Sequence, residues 1–542
     1  MDETTSLLLP RPASYETGQG AFTFDRNTRI AAEDSLSDVA AWLQAVLRPV
    51  TGLPLRDMSA DATTGVALGP GAVVLAANPD FGCEAFRLTV TSDDIRIEGG
   101  DQAGAFYGCQ ALLQLLPPSV YRRALVRGVV WSVPVVDVRD KPTYRWRGVM
   151  LDVARHFVPK HDVLRFIDLL AMHRINVLHL HLTDDQGWRV EIRRYPRLTT
   201  HGAGRRESQV GAGVGAPSDG RPHGGFYSQD DIREIVAYAA ARFVTVVPEI
   251  DSPGHVQAAI AAYPELGITG EPLEVHTRWV INPNVLRINE TTIEFFTNVL
   301  DEVMDLFPST YIGIGGDEAV KDQWKTDAAT QNLIAYLGLT DEEALQSWYL
   351  HRLGAHVSAR GRRLFGWDEI LDGDLPPGTI VGSWRGMAGA VTAARAGHDV
   401  VSSPDDIVYL DYRQSSSPDE PIPHGFPVSV REVYDFDPVP PGLTDDEAAH
   451  ILGGQANLWT EHIDSTRMLD YYAFPRVCAL AEALWTSSER DYTEFERRMR
   501  VHLQRLDAIG VEYRQAGGPL PWQTRPGIPG HSFGRRKASQ AE

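Results

Sequence analysis

Two adjacent carboxylates, Asp317 and Glu318, end the run YIGIGGDE (311–318), behind a strand-like apolar segment and two glycines. Like charges this close disfavour ionising together, so one of the pair is expected to lean toward its protonated form. A carboxyl held protonated near neutral pH is what general acid catalysis requires. The same two residues could instead cap the first turn of a following helix, where acids are favoured. Which reading holds depends on what else the chain brings to the same place.

The elements that would position the pair form a repeating pattern. From residue 147 onward, short apolar runs at 147–154, 175–183, 244–251, 311–318, 363–369, 379–385, 399–404 and 450–459 alternate with amphipathic helical stretches such as DVLRFIDLLAMH (162–173). Eight such units predict an α/β fold, a (β/α)8 TIM barrel over residues 141–515 with irregular later units. In that architecture the chemistry lies at the C-terminal ends of the strands. Polar residues gather at those ends: Asp152 leading to Arg155 and His156, then Asp184 and Asp185, Glu249 and Asp251, Asp317 and Glu318. Trp367, Asp368 and Glu369 end the fifth strand, Trp384 and Arg385 the sixth. Tyr409 and Asp411 follow the seventh, and Trp459 and Glu461 the eighth. Placement at one end of every strand favours a catalytic pair over a helix cap.

Residues 1–140 read as a smaller α+β domain. They hold two of the twelve tryptophans, Trp42 and Trp131, and pair strand-like runs with one clear helix, DQAGAFYGCQALLQLL (101–116), without a cluster of chemical groups. The Pro-containing stretch 133–148 is expected to act as the hinge, and the tail 516–542 to be partly disordered. A formal charge of −21 argues against nucleic acid and anionic membrane as partners and admits a neutral substrate. Three widely spaced cysteines fit neither a disulfide framework nor a metal spacing, and no metal or cofactor is implied. The acidic start MDETTSLLLPRP is no secretory signal, and no 18-residue apolar run is present, so the chain as written reads as cytoplasmic, or as secreted if a signal was removed.

Trp367, Trp384 and Trp459 on one rim, among Arg155, Asp411 and Glu461, suit a sugar, whose C–H faces pack on indoles while its hydroxyls meet charged partners. The stretches GVMLDVARHF (148–157), LHLTDDQGWRVEI (180–192), PEIDSPGH (248–255), FPSTYIGIGGDE (307–318), YLD (409–411), NLWTE (457–461) and PR followed by ALAEALW (475–485) resemble the family 20 glycoside hydrolases, the β-N-acetylhexosaminidases. The first domain resembles the module that precedes the barrel in that family. The resemblance implies that Glu318 is the general acid/base and that Asp317 orients and charge-stabilises a substrate's 2-acetamido group. It implies that Tyr409 binds the acetamido oxygen, with Trp367, Trp384 and Trp459 walling the pocket. Arg155, Asp411 and Glu461 would hold the hydroxyls of the terminal sugar, and Asp184 with His255 would support Glu318. The partner so implied is a carbohydrate ending in N-acetylhexosamine.

One departure stands out: many members carry histidine where this chain has Gly313. Strand alternation would point residue 313 the same way as Asp317, so the wall beneath that acid is expected to differ. Three other readings remain open at this level. Asp411 or Glu461 could serve as a covalent nucleophile. A binding protein on a dead barrel would keep the tryptophans but lose the acid pair, which is intact here. A metal-dependent hydrolase could use His179, His181 and Asp184, although alternating strand residues at mid-barrel are usually core. The Gly-rich loop 200–225 after the second strand could be a lid.

Overall fold

Alternating burial along short runs of the first 140 residues builds a seven-stranded mixed sheet. Its order is Ser14–Thr23, Ser132–Asp140, Phe86–Val90, Asp94–Gly99, Ala72–Ala77, Arg29–Ala32 and Arg56–Met58. The computed structural model describes residues 6–58, 70–213, 215–422, 424–486 and 489–535. Helix Gln102–Leu115 packs on this sheet, started by Asp101, whose side chain accepts a hydrogen bond from the Gly104 N–H. The expected hinge is shorter than the stretch 133–148. Val133, Val136 and Val138 alternate inward, so Ser132–Asp140 is a strand paired on both sides, and only residues 141–145 link the two domains. Even these are tied down, since Thr143 N–H and Tyr144 N–H donate to the carbonyls of Trp485 and Leu484.

The second domain is a closed barrel of eight parallel strands. They are β1 (Trp146–Asp152), β2 (Val177–His181), β3 (Thr245–Glu249) and β4 (Tyr311–Gly313), then β5 (Arg363–Trp367), β6 (Ile380–Ser383), β7 (Asp399–Ser402) and β8 (Ile451–Leu458). Strands buried on both faces favour apolar residues at most positions, which is why they read as mainly apolar runs rather than as alternating ones. The later units are irregular, as expected: a single 3-10 turn, Asp368–Asp372, follows β5, and the helices among the described residues between β7 and β8 are all short, Asp405–Val408, Val430–Tyr434 and Asp445–Ala448. The last long helix, Tyr492–Ile509, returns to the first domain, with Arg498 donating to the Leu8 carbonyl and Arg505 to that of Gln114. No helix among the described residues is long and apolar enough to cross a membrane.

β4 departs most from expectation. It stops at Gly313, five residues before Glu318, so strand alternation does not carry through to Asp317. Gly315 and Gly316 both take positive φ, at 65° and 88°. A Cβ on Gly315 would lie 1.8 Å from an Asp251 carboxylate oxygen, so only glycine fits there. The turn swings the acid pair off the sheet and over the barrel mouth. Residues 516–535 of the tail do not trail away, but are hydrogen-bonded to the rim loops at several points; residues 536–542 lie outside the described residues.

Candidate active site

His255 is the hub of the site. It follows β3 in the Ser-Pro-Gly turn, at φ 52°, a left-handed conformation uncommon for a residue with a side chain. Its Nδ1 faces the Asp184 carboxylate at 3.2 Å, while its Nε2 lies 3.5 Å from the Glu318 carboxylate and 3.7 Å from that of Asp317. Both expected acids therefore surround one imidazole. Glu318 is itself held at φ 45°, so the two residues that meet across the site both sit in backbone conformations that cost energy.

Asp184 lies beneath, fully buried among three cations. His181 Nε2 is 2.8 Å away and Arg155 Nη2 2.7 Å away, opposite His255. Burial alone would raise the Asp184 pKa, but Arg155 and the two histidines hold it well below the usual carboxylate range. Conversely, burial would lower His181 and His255, and their carboxylate neighbours lift both well above the ordinary imidazole value. The chain of charges runs deeper than expected from sequence. His181 Nδ1 contacts Glu249 at 3.0 Å, and Glu249 also meets His179 Nε2 at 2.5 Å and accepts from Trp367 Nε1 at 3.1 Å. His179 and His181, which could have been metal ligands, are thus engaged by Glu249, and Arg155 occupies Asp184. A cation bridging these donors would have to displace an existing charge pair.

The acid pair divides its proton against the simplest expectation. Asp317 is the raised member, pushed up to about 6 by burial and by the negative charges of Glu249 and Glu318. Glu318, the expected acid, is lowered in the free protein: burial raises it, but hydrogen bonding and charge from His255, with Arg155 beyond, outweigh that. Asp317 Oδ1 and the Asp251 Oδ2 beneath it are buried without a protein hydrogen-bond partner.

The aromatic residues converge. Trp384 stacks on Tyr409 with ring centroids 6.0 Å apart and planes within 24°, Tyr409 meets Trp459 at 6.4 Å, and Trp459 meets Trp367 at 6.0 Å. The Arg155 guanidinium lies 4.9 Å above the Trp459 ring. Glu461 and Asp411 complete the rim as neighbours whose charges oppose one another. Burial first, and then that opposition, raises Asp411 well above the ordinary range, while burial is the main cause raising Glu461. All eleven expected residues thus fall in one network around the barrel mouth.

Sequence reasoning passed over three supports. His179 and His181 read as barrel core or metal ligands and Glu249 as one polar strand end among several, yet the three form a single arm. Asp251 accepts the Gly316 N–H at 3.3 Å and so fixes the turn that carries the acids. Glu369 accepts from Trp384 Nε1 at 2.8 Å and is raised to about 9, by burial and then by Asp317 and Asp368. The WDE triplet at a strand end was its only signal. The Gly-rich loop 200–225 is folded back on itself: Gly204–Arg205 pairs with His223–Gly224, and Arg278 donates to the Ala216 carbonyl.

Comparison with known proteins agrees with this geometry. Residues 144–488 match the sequence profile "Glycosyl hydrolase family 20, catalytic domain", and residues 5–141 match "Glycosyl hydrolase family 20, domain 2". A β-hexosaminidase of Porphyromonas gingivalis is 38% identical over 95% of this chain, which spans 65% of that protein's length. A β-N-acetylhexosaminidase of Cellulomonas fimi is 33% identical over 97% of this chain and 99% of its own. Among solved structures, the exo β-N-acetylglucosaminidase of Vibrio harveyi in complex with N-acetylglucosamine superposes with a TM-score of 0.83 at 35% identity, over 94% of this chain and 79% of that one. With both of its domains matched in order and a relative aligned nearly end to end, the chain belongs to glycosyl hydrolase family 20.

Proposed function

We propose that the protein is a retaining exo-β-N-acetylhexosaminidase that releases terminal β-linked N-acetylhexosamine by substrate-assisted catalysis. The observation that carries this reading is the pair Asp317 and Glu318 around one imidazole, beside a cup of four aromatic rings. Most retaining glycosidases set two carboxylates about 5–5.5 Å apart across the scissile bond, and family 20 is an exception in which the substrate supplies the nucleophile. Consecutive carboxylates on one turn suit that exception, because they reach neighbouring atoms of one sugar.

In this mechanism the sugar's acetamido oxygen attacks its own anomeric carbon as the glycosidic C–O bond breaks, giving an oxazolinium ion. Glu318 donates a proton to the departing oxygen and then takes one from the water that opens the ring. In the free protein His255 favours the Glu318 carboxylate, so Glu318 must gain its proton as substrate displaces solvent from a side chain still 30% exposed. Asp317 orients the amide and balances the positive charge that develops on its nitrogen. Its unpaired Oδ1 is a prepared acceptor for that N–H. Tyr409 would hold the acetamido oxygen, and Arg155, Asp411 and Glu461 the sugar hydroxyls. The complex of the Vibrio harveyi relative with N-acetylglucosamine supports that choice of sugar.

Two chromogenic β-glycosides that differ only in the 2-acetamido group test the reading. Hydrolysis should be confined to the acetamido compound, with the β-anomer as first product by NMR. Comparable turnover of both, or an inverted product, would overturn it.

A further inference from the structure

The C-terminal segment crosses three rim loops, those after β2, β7 and β8, the last two of which carry Tyr409, Asp411 and Glu461. Arg525 forms an ion pair with Asp464, three residues beyond Glu461 on the loop after β8. The Pro529 carbonyl accepts from Ala212 N–H at 2.9 Å, on the loop after β2, where a Cβ on Gly211 would lie 2.4 Å from that same oxygen. The His531 carbonyl accepts from Gly425 N–H at 3.0 Å, on the loop after β7. Phe533 packs edge-on against Tyr412 at 5.6 Å and Phe426 at 5.9 Å, and Arg535 pairs with Glu432. Tyr412 is next to Asp411 in sequence, and its ring lies 5.7 Å from that of Tyr409.

We propose that residues 525–535 are a strap that fixes the sugar-binding loops, with Arg525 and Phe533 as positioning residues for Glu461 and for the Tyr409–Asp411 pair. The strap also helps to wall a polar cavity of about 300 Å³ beside Glu461, lined among others by His156, His223, His462 and Arg525. On the barrel side the Ser465 hydroxyl and the His156 ring also act on the Asp464 charge, and Arg525 acts on it more strongly than either. Burial would raise Asp464, and the Arg525 contact holds it below the usual carboxylate range. Without Arg525 the Asp464 carboxylate, at the rim of the site, would lose its ion pair, and the Glu461 loop would lose its tie to the tail. Loss of Phe533 would instead remove one of the edge-on rings around Tyr412, leaving Phe426 and His424, and loosen the seat of Tyr412 against Tyr409.

The two contacts make separable predictions, which rest on the function proposed above. Arg525→Ala should raise KM for an aryl N-acetyl-β-glucosaminide about tenfold with a smaller change in kcat, and Arg525→Lys should recover most of the loss; a misplacement of about 1 Å can cost about 10²-fold. Phe533→Ala should act mainly on kcat, through Tyr409, and Phe533→Leu should recover part of it. Hydrogen exchange in segments 409–428 and 461–465 should quicken in both alanine variants. This last measurement does not depend on turnover, so it tests the strap even if the wild type proves inactive on N-acetylhexosaminides, a result that would count against the proposed function alone. Unchanged exchange in both segments, or kinetic constants equal to wild type in both alanine variants of an active enzyme, would overturn the strap.

Discussion

Charge is buried at both ends of the barrel, and the two ends handle it in opposite ways. At the base, where the first domain docks, Arg147 pairs with Glu84 at 2.6 Å and Arg174 with Asp140 at 2.6 Å, while Glu482 receives both Nη atoms of Arg498, at 2.6 and 2.5 Å. Asp140 also accepts from Trp485 Nε1 and from the backbone N–H groups of Ala13 and Lys141. What is left over there is guanidinium N–H, and Arg174 lies over the faces of Phe86 and Trp485, at 5.1 and 4.6 Å. At the rim the unpaired atoms include carboxylate oxygens, those of Asp317, Asp251 and Asp411. A closed set of pairs rigidifies a junction, whereas acceptors held without donors are prepared for something that arrives.

That contrast can be broken most visibly at Glu318. Glu318→Gln should lower turnover of natural glycosides by roughly 10²–10⁴. The loss in the cleavage step should shrink for a dinitrophenyl leaving group that needs no proton, and the melting temperature should hardly move. An equal loss for good and poor leaving groups would remove Glu318 from the acid role.

The base should answer in the other currency. Asp140→Asn leaves Arg174 buried without its counter-ion, and breaking a buried pair from one side typically costs about 3–5 kcal/mol. Denaturant unfolding should show that loss while KM and kcat of the folded fraction stay near wild type. A kinetic defect without a stability defect would mean that the two ends are not independent.

Asp317→Asn sharpens the comparison, because it keeps shape and removes charge. Turnover should fall on the order of 10²–10³, the usual loss for one preorganised electrostatic partner. Thiazoline inhibitors that mimic the cyclised intermediate should lose affinity far more than substrate does. Since kcat/KM reports the free enzyme, its acid limb should fall near pH 6, where Asp317 takes up a proton, and Asp317→Asn should lack that limb. Weak thiazoline binding to the wild type, or equal binding to both proteins, would count against the role given to Asp317.

The smallest effect concerns stability. Asp317 titrates higher when folded than when unfolded, so the folded state binds the proton more tightly. Its ionised form therefore destabilises the fold, with a cost that appears as pH rises from the ordinary carboxylate range toward 6 and is fully present above that. Asp317→Asn should melt about 1–3 °C higher than wild type at pH 7, with the gain shrinking at pH 4. A variant that melts lower at pH 7 would place Asp317 among the satisfied charges.

Much of this site was legible because barrel strands announce themselves as apolar runs and their ends as the first polar residues after them. Arg155, Asp184, Trp367 and Glu461 were placed that way. The arm from His181 through Glu249 to His179 was not, because alternating histidines on a strand look alike whether they meet a carboxylate or a neighbouring side chain. Glu249 closes that contact from 68 residues away. The sign of φ at Glu318 and His255 leaves no trace in hydrophobic period. Nor could sequence say which acid keeps the proton, since that depends on how closely His255 approaches each. The tail reads as partly disordered for a related reason: the contacts of residues 525–535 are backbone carbonyls and single side chains, which have no pattern.

Gly313 has one more consequence. It stands in register with Glu249 on the neighbouring parallel strand, and a Cβ there would lie 2.9 Å from the Glu249 Cβ, closer than side chains approach one another. The two positions are therefore epistatic: histidine cannot enter at 313 in this background until β3 and β4 move apart, and their separation is held by the very carboxylate that His179, His181 and Trp367 grip.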